Sequence, residues 1–536
     1  MKTKSKLRSA SGFDTKGTAV LAAVIIALLS VSPGAMAQEQ LEGDDDGGGG
    51  LLVTRPDVAP VQDDAELHAV VCRPSGRCWA VGDHGVIWRS DDFGRTWRFQ
   101  TSGTTASLTA VQFPTDEVGF AAGGGLTPYS SVSRGVLLKT TNGGRTWESL
   151  PAKTPSRIVA FRFFDPEHGI LVCTPGVTCP TGVATTSDGG QSWNPVLGER
   201  GANWQSALFP APDVAILCGL GAAVSSLSDG RVSATRTLGD GTRTLHGMAL
   251  DSQGHAWMVG DGGLIVQSKN GGTSWQSPPT EPGEIARRVC RFRGVSCRGK
   301  AVCIVGQPGS CAWRTEDAGL NWIVHKTGQS LPLNAIDFAN DNLGCAVGSM
   351  GTIIVTDDGG RSWRSSRGTR RRAAYLGVWP RSTGTPVGVV ASLSGEHGYR
   401  GVCYSVARDD LGPIANSGDD ADYRLRQAVM YSHGNASEVN WNLPTPFPEL
   451  QTDVDRLTQY WNSRTDNRLG EELVEQLTVQ LRMWRPSVVL LNEPAESDGV
   501  ERILFEAVQR AVVNAADGTR YLEHADVLGL SPWSVE

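Results

Sequence analysis

One short pattern, spaced as S-x-D-x-G-x-T-W, recurs between residues 86 and 363 and limits what this chain can fold into more than any other feature. Its clearest copy is Ser90, Asp92, Gly94, Thr96, Trp97. Near-complete copies are Thr140, Asn142, Gly144, Thr146, Trp147, then Thr186, Asp188, Gly190, Ser192, Trp193, and Ser268, Asn270, Gly272, Ser274, Trp275. Two more are Thr315, Asp317, Gly319, Asn321, Trp322 and Thr356, Asp358, Gly360, Ser362, Trp363. A gap of about two periods separates the third copy from the fourth, and a worn version without Trp (Ser226, Ser228, Gly230) falls in its middle. That makes seven repeats at a period of about 40 to 50 residues, the range of propeller blades.

Each residue of this Asp-box has a mechanical reason. The Asp or Asn side chain accepts bonds from the turn's own amides, and the leading Ser or Thr does the same more weakly. Glycine takes a positive φ without penalty, and Trp offers a large apolar face to the next repeat. Around the boxes, alternating segments such as Leu108, Ala110, Gln112, Phe113 and glycine turns such as Ala346, Val347, Gly348 read as half-buried antiparallel strands. The fold expected for residues 59–366 is therefore an all-β, seven-bladed propeller of four-stranded antiparallel blades. The segment after Leu51 is expected to lend a strand to the last blade, and the region Trp204 to Thr235 to be the least regular.

Ahead of the repeats, Lys2, Lys4, Lys6 and Arg8 precede an apolar run from Ala19 to Leu29 and then Ala35, Met36, Ala37. This reads as a signal peptide over 1–37 with cleavage near Ala37, hence a periplasmic or extracellular protein; the run is shorter than the ~20 residues of a spanning helix. Residues 38–58, acidic and glycine-rich, read as a flexible leader. Eleven cysteines include three pairs with five residues between the partners: Cys72 and Cys78, Cys173 and Cys179, Cys297 and Cys303. Local disulfides are favoured for them, against unpaired core thiols or a metal site, and Cys218, Cys345 and Cys403 have no obvious mate. A net charge of −7 without a basic stripe argues against nucleic acid.

On its L-x-A-V-x-F strands, A-V-G turns and D-G-G-x-[TS]-W boxes the repeat region resembles the seven-bladed photosystem II assembly and stability factor family. The resemblance implies a non-catalytic platform that binds a protein or glycan ligand on a propeller face, with no cofactor, as a monomer. Similar repeats occur in sialidases and xyloglucan hydrolases, which keeps a glycosidase-type propeller as the alternative. A sialidase would need an arginine cluster and a Tyr nucleophile; Arg287 and Arg288 are adjacent, but Tyr129 is the only tyrosine before Tyr375.

After an Arg-rich segment read as an exposed linker (367–372), the pattern over 373–536 changes to alternating strands and helices, an α/β Rossmann-like domain with a mostly parallel sheet. Leu469, Leu473, Leu477 and Leu481 give one apolar helix face ending before Pro486, and Ser487 to Leu491 a buried strand. The long helix leading into Arg485, Pro486, Ser487, Val488, Val489 and the helix carrying Glu506 and Ala507 make the region similar to the zinc de-N-acetylases related to PIG-L and LmbE. Where that family has A-H-P-D-D-E, this chain has Val378, Trp379, Pro380, Arg381, Ser382, Thr383, and where it has P-D-H, this chain has Ser497, Asp498, Gly499. The resemblance thus implies a catalytically dead relative. The competing expectation is a deacetylase of N-acetylated sugars with relocated ligands drawn from residues such as His397, His433 and His524.

Overall fold

The computed structural model describes residues 58–126, 132–150, 154–408, 421–445, 450, 453–494 and 499–536. The expected signal peptide, most of the leader, Tyr129, Ser497 and Asp498 lie outside them. Residues from Pro56 onward form one compact unit.

Seven antiparallel sheets follow one another along the chain. Their inner strands are Leu67–Cys72, Ser107–Gln112, Ile158–Phe163, Trp204–Ala211, Leu245–Leu250, Arg291–Arg298 and Leu333–Phe338, each packing on the next and the last on the first. The fourth blade is irregular: a tight turn at Asp229 and Gly230, both at positive φ, replaces the box, and Leu197–Gly198 joins it as a parallel outer strand. Every blade is built from consecutive strands. The last one ends at Arg364–Arg367, and Pro60–Asp63 is a helical turn, so no strand from the described N-terminal residues laces it, Pro60 starting a helix better than it joins a sheet; residues 51–57 of the expected lacing segment lie outside the described residues.

The six complete boxes share one bonding scheme. In the first, Ser90 Oγ accepts from Gly94 N at 2.9 Å, and Asp92 Oδ1 accepts from Thr96 N at 2.9 Å and from the Ser90 hydroxyl at 2.7 Å. The box tryptophans lean on the preceding blade: Trp147 on Val81 and Ile87, Trp193 on Phe120 and Leu137, Trp363 on Cys303 and Val305. The side chain and amide of Ser192 hold Asp188 down at about 2, and those of Asn321 do the same for Asp317. Both shifts are downward, so their contribution to stability is complete above pH ~4, the ordinary carboxylate range, and drains away as pH falls through 2. Asp188→Asn, which keeps the acceptor as Asn142 and Asn270 do, is expected to flatten the acid limb of stability between pH 4 and 2 in urea titrations while leaving pH 7 nearly unchanged.

The inner strands carry a second regularity that alternation does not reveal. In all seven blades the pairing slips by one residue just after the strand begins, making a bulge whose extra residue is Val159 in the third blade and His68, Thr109, Gln205, His246, Arg293 or Asn334 in the other six. A bulge re-aims its side chain out of the pleat. It also brings the inner backbone over the second strand, whose facing residue is Cys173 in the third blade and a glycine in the other six. A Cβ on Gly82, Gly123, Gly219, Gly260, Gly306 or Gly348 would stand 1.9–2.2 Å from a carbonyl oxygen of the inner chain.

Residues after 372 form a four-stranded parallel sheet with strands Tyr375–Arg381, Gly401–Ala407, Ala436–Val439 and Val488–Leu490, in the spatial order third, second, first, fourth. Helices Ala421–Tyr431, Val454–Arg464, Leu469–Trp484 and Gly499–Ala516 pack around it. This layer lies on one end of the ring and shares its core. Trp257, Ile285, Phe292, Leu331 and Met350 of the blades join Leu376, Tyr404, Leu473, Leu477 and Leu530 in a single buried cluster. The helix Leu469–Trp484 is therefore buried on its polar side as well: Glu475 pairs with Arg288, and Gln476 donates to the Arg288 carbonyl. The arginines expected on an exposed linker are also folded in. Arg367 lies over the Trp88 ring at 3.7 Å, and Arg367 and Arg371 both clamp Asp63, because a guanidinium can stack and pair at once. No helix of the described residues is long and apolar enough to cross a membrane.

None of the eleven cysteines is bridged. Cys297 and Cys303 do not face one another: Cys303 is opposite Ser296 in the ladder, so the two thiols project from opposite faces of the sheet. Cys173 and Cys179 share the core between blades 2 and 3. Cys72 stands directly opposite Cys78, and Cys345 has joined them.

Candidate functional site

Where the bulged ends of the inner strands meet the parallel-sheet layer lies a polar chamber of about 210 Å³, partly open to solvent. The bulge residues His68, Gln205, His246, Arg293 and Asn334 form its ring side, with Arg157 and Arg291 beside them. Arg408, Tyr423, Arg426 and Glu438 form the lid side. These groups come from widely separated parts of the chain and are brought together by the bulges on the ring side and by strand ends and the helix Ala421–Tyr431 on the lid side.

Two blades carry matching pairs inside the chamber. His68 Nε2 lies 2.9 Å from Asp83 Oδ1, and His246 Nε2 lies 2.8 Å from Asp261 Oδ1. Each aspartate sits in the turn after the second strand and is buried, and each is met by an arginine from the lid. Arg426 reaches His68 and Asp83, while Arg408 reaches Asp261 at 3.5 Å and the Thr242 carbonyl at 2.9 Å. Arg291 binds Asp261 and Glu438 together, and Arg293 donates to both Glu438 oxygens at 2.7 and 2.8 Å. Burial alone would raise the Asp261 carboxyl, but His246, Arg291 and Arg408 outweigh it and hold it well below the usual carboxylate range. Burial also lowers His246, against the pull of Asp261, so that imidazole is neutral near pH 7.

Among the described residues, five guanidinium groups thus face four carboxylates, Glu66, Asp83, Asp261 and Glu438. The surplus positive charge falls on Arg157. It has no carboxylate within ion-pair distance among the described residues, and its guanidinium lies 3.9 Å from the centre of the Tyr423 ring, half-exposed. Such a group can take the carboxylate of an incoming ligand in a two-point bond.

Among the described residues, two groups of side chains have donors close enough for a metal ion, and the first is Glu66, His68 and Asp83. Arg426 lies 3.8 Å from Glu66, 3.4 Å from Asp83 and against His68, so a fixed cation already stands where an ion would. The second is Cys72, Cys78 and Cys345 at the meeting of blades 1 and 7. Neither coincides with the position aligned to the de-N-acetylase zinc motif. Trp379, Arg381 and Ser382 do lie at the end of the first parallel strand, but they offer no imidazole, thiolate or carboxylate and do not fit a zinc ion. Gly499 opens the helix Gly499–Ala516. The histidines are not gathered: His524 is buried against Glu475, and His433 lies beside His84. Of the adjacent arginines, Arg288 is engaged by Glu475 and Glu523 and Arg287 by Glu281, all remote from the chamber's lining.

Sequence reasoning misses the chamber because its arginines are dispersed from Arg157 to Arg426. The usable signal is the residue after the first apolar residue of each inner strand, polar in six blades: His68, Thr109, Gln205, His246, Arg293, Asn334.

Residues 240–367 match the family model for the photosynthesis system II assembly factor YCF48. The photosystem II stability/assembly factor HCF136 of Oryza sativa subsp. japonica is 29% identical over 197 residues, 37% of this chain and 42% of that protein. Its Arabidopsis thaliana counterpart is 27% identical over 118 residues, 22% of this chain and 29% of that one. The chain therefore spans less than half the length of either relative. Among solved structures, YCF48 bound to D1 peptide is 19% identical with a TM-score of 0.44, over 55% of this chain and 92% of that one. The GH74 xyloglucanase of Xanthomonas campestris is 14% identical with a TM-score of 0.45, over 58% of this chain and 56% of that one. The chain carries a seven-bladed propeller that is similar in sequence to the photosystem II stability and assembly factors.

Proposed function

We propose that this is an exported, non-catalytic binding platform whose propeller receives a protein partner and whose chamber holds an anionic group of that partner, most simply a peptide carboxylate. The observation that carries the reading is the convergence of five arginines from ring and lid on one small cavity, with Arg157 in surplus. The chamber's carboxylates are bound to arginine or histidine, which leaves no free acid or base for hydrolysis. The resemblance to assembly factors points the same way. In this reading the parallel-sheet layer is a Rossmann-like domain, akin to the de-N-acetylases but without their ligands, that serves as a lid rather than a catalyst.

The test is titration of the mature chain with an acidic peptide ending in a free carboxylate, beside the same sequence with neutral side chains and an amidated end. The acidic peptide is expected to bind and the neutral one not. Arg157→Gln is expected to weaken binding by about ten-fold or more, as loss of a hydrogen bond to a charged group costs about 1.5–3 kcal/mol. Equal binding of both peptides, or an unchanged Arg157→Gln titration, sinks the proposal.

A further inference from the structure

Among the described residues blades 1 and 7 meet without sharing a strand, and side chains tie them together. Asn334 reaches from blade 7 to Glu66 and to the Leu67 carbonyl, and Asp337 Oδ2 accepts from Cys72 N at 2.8 Å. Beside these bonds three sulfurs converge. Cys72 ends the inner strand of blade 1, Cys78 begins the strand opposite it, and Cys345 stands on the second strand of blade 7. Their Sγ atoms lie within 4.8 Å of one another. All three are buried, among Val70, Phe93, Trp97, Ala339 and Val355. Room for the third sulfur depends on a box glycine: a Cβ on Gly94 would stand 2.4 Å from Cys345 Sγ.

Ordinary burial explains one thiol in a core, as at Cys218 or Cys403. It does not explain three that come from three strands of two blades to one point. A disulfide accounts for two of them. Cys72 and Cys78 are a non-hydrogen-bonded pair, the neighbouring Arg73 N bonding Arg77 O at 2.8 Å, and a bridge there would leave Cys345 single and the blades untied. A metal ion uses all three. Thiolates select soft cations, three sulfurs satisfy trigonal Cu(I), and Zn(II) would complete four-coordination with a water or the Asp337 carboxylate, which lies across the ladder from Cys345.

We propose that Cys72, Cys78 and Cys345 form a three-thiolate site for a soft d10 cation, Cu(I) or Zn(II), that fastens the first blade to the last. Binding releases the thiol protons and forms the metal–sulfur bonds, with no change in oxidation state. The ion takes the place of a lacing strand, and Asp337, through its bond to the Cys72 amide, is a positioning residue.

The experiment loads the reduced full-length mature protein with Zn²⁺ or, without oxygen, with Cu⁺, followed by gel filtration, elemental analysis and near-ultraviolet thiolate-to-metal absorption. One ion per chain is expected, with a rise in unfolding temperature. Competition between the two ions decides which is bound. Cys345→Ser and Cys78→Ser are each expected to weaken binding by more than the roughly 100-fold that loss of an outer-shell partner costs, and Asp337→Asn by up to that amount. Cys403→Ser, in the parallel sheet, is expected to bind as the wild type does. The proposal is overturned if the wild-type chain retains no ion, if Cys345→Ser retains it with equal affinity, or if the isolated protein carries a Cys72–Cys78 disulfide. The wild-type loading decides the matter even where a variant does not fold.

Discussion

Replacing Asp261 by alanine is expected to cost about 3–5 kcal/mol, the penalty of leaving a buried charge without its partner. Asp261 is fully buried and is the point on which both layers turn. Its oxygens accept from Thr244 N at 2.9 Å, from Arg291 Nε at 3.0 Å and from His246, and they face Arg408, whose side chain is only 3% exposed. With the carboxylate gone, Arg408 loses an acceptor that its bonds to Thr242 O and Thr244 Oγ1 do not replace, and Arg291 keeps Glu438 at 3.0 Å and the Val439 carbonyl at 2.9 Å. The loss should appear in urea denaturation as a lower midpoint and, since the lid is what loosens, as a broader transition. Asp240→Ala is the internal comparison. Asp240 pairs with Arg464 in the same interface but is 57% exposed, and its loss is expected to cost no more than about 1 kcal/mol. Equal effects of the two substitutions would mean that Asp261 is not the anchor of the lid.

Gly348→Ala is expected to destabilise the protein by about 3 kcal/mol, at the top of the range for forcing atoms into a packed interior. A methyl group there would stand 1.9 Å from the Pro332 carbonyl oxygen and 2.8 Å from Leu333 Cα, and neither can move without opening the bulge at Asn334. The opposite sign is expected at Gly470, in the first turn of the helix Leu469–Trp484, where a Cβ meets nothing within 4 Å. Gly470→Ala should stabilise by up to about 1 kcal/mol through helix propensity. Calorimetry of the two variants separates glycine kept for close approach from glycine that is merely tolerated. Because Asn334 bonds Glu66 and Leu67 across the seam, Gly348→Ala should also disturb the chamber, which acidic-peptide titration would register.

The ring was legible because its signals are local: each Asp-box closes its own turn, and its Trp meets the blade before it whatever lies beyond. Much of the lid was legible too, such as the helix Leu469–Trp484 and the strand Val488–Leu490, but the short strand Ala436–Val439 and the helix Val454–Arg464 were not. Nor was the docking of the lid. Glu475, Gln476, Gln480 and Arg482 look like a solvated helix face and are instead buried, the first two against Arg288 of the short helix Glu284–Val289 and Arg482 against the carbonyls of Asn514 and Asp517. Polarity reports whether a side chain is hydrogen-bonded, not whether water is the partner. The chamber escaped for a related reason, since a one-residue slip at each bulge breaks the alternation from which strand faces are read. Cys345 showed no mate because its neighbours lie on the other side of a ring closure that carries no sequence mark.

Arg367, Arg371 and Arg400 hold Asp63 and Asp64, so the chain enters the first blade and leaves the last at one spot. For the remainder of the polypeptide the whole propeller is then topologically a single loop pinched at its base. A loop of that kind adds little to closure entropy with each further residue, because the cost grows only with the logarithm of length. Blades can be gained or worn down inside it, as the fourth has been, without moving the point where the lid begins.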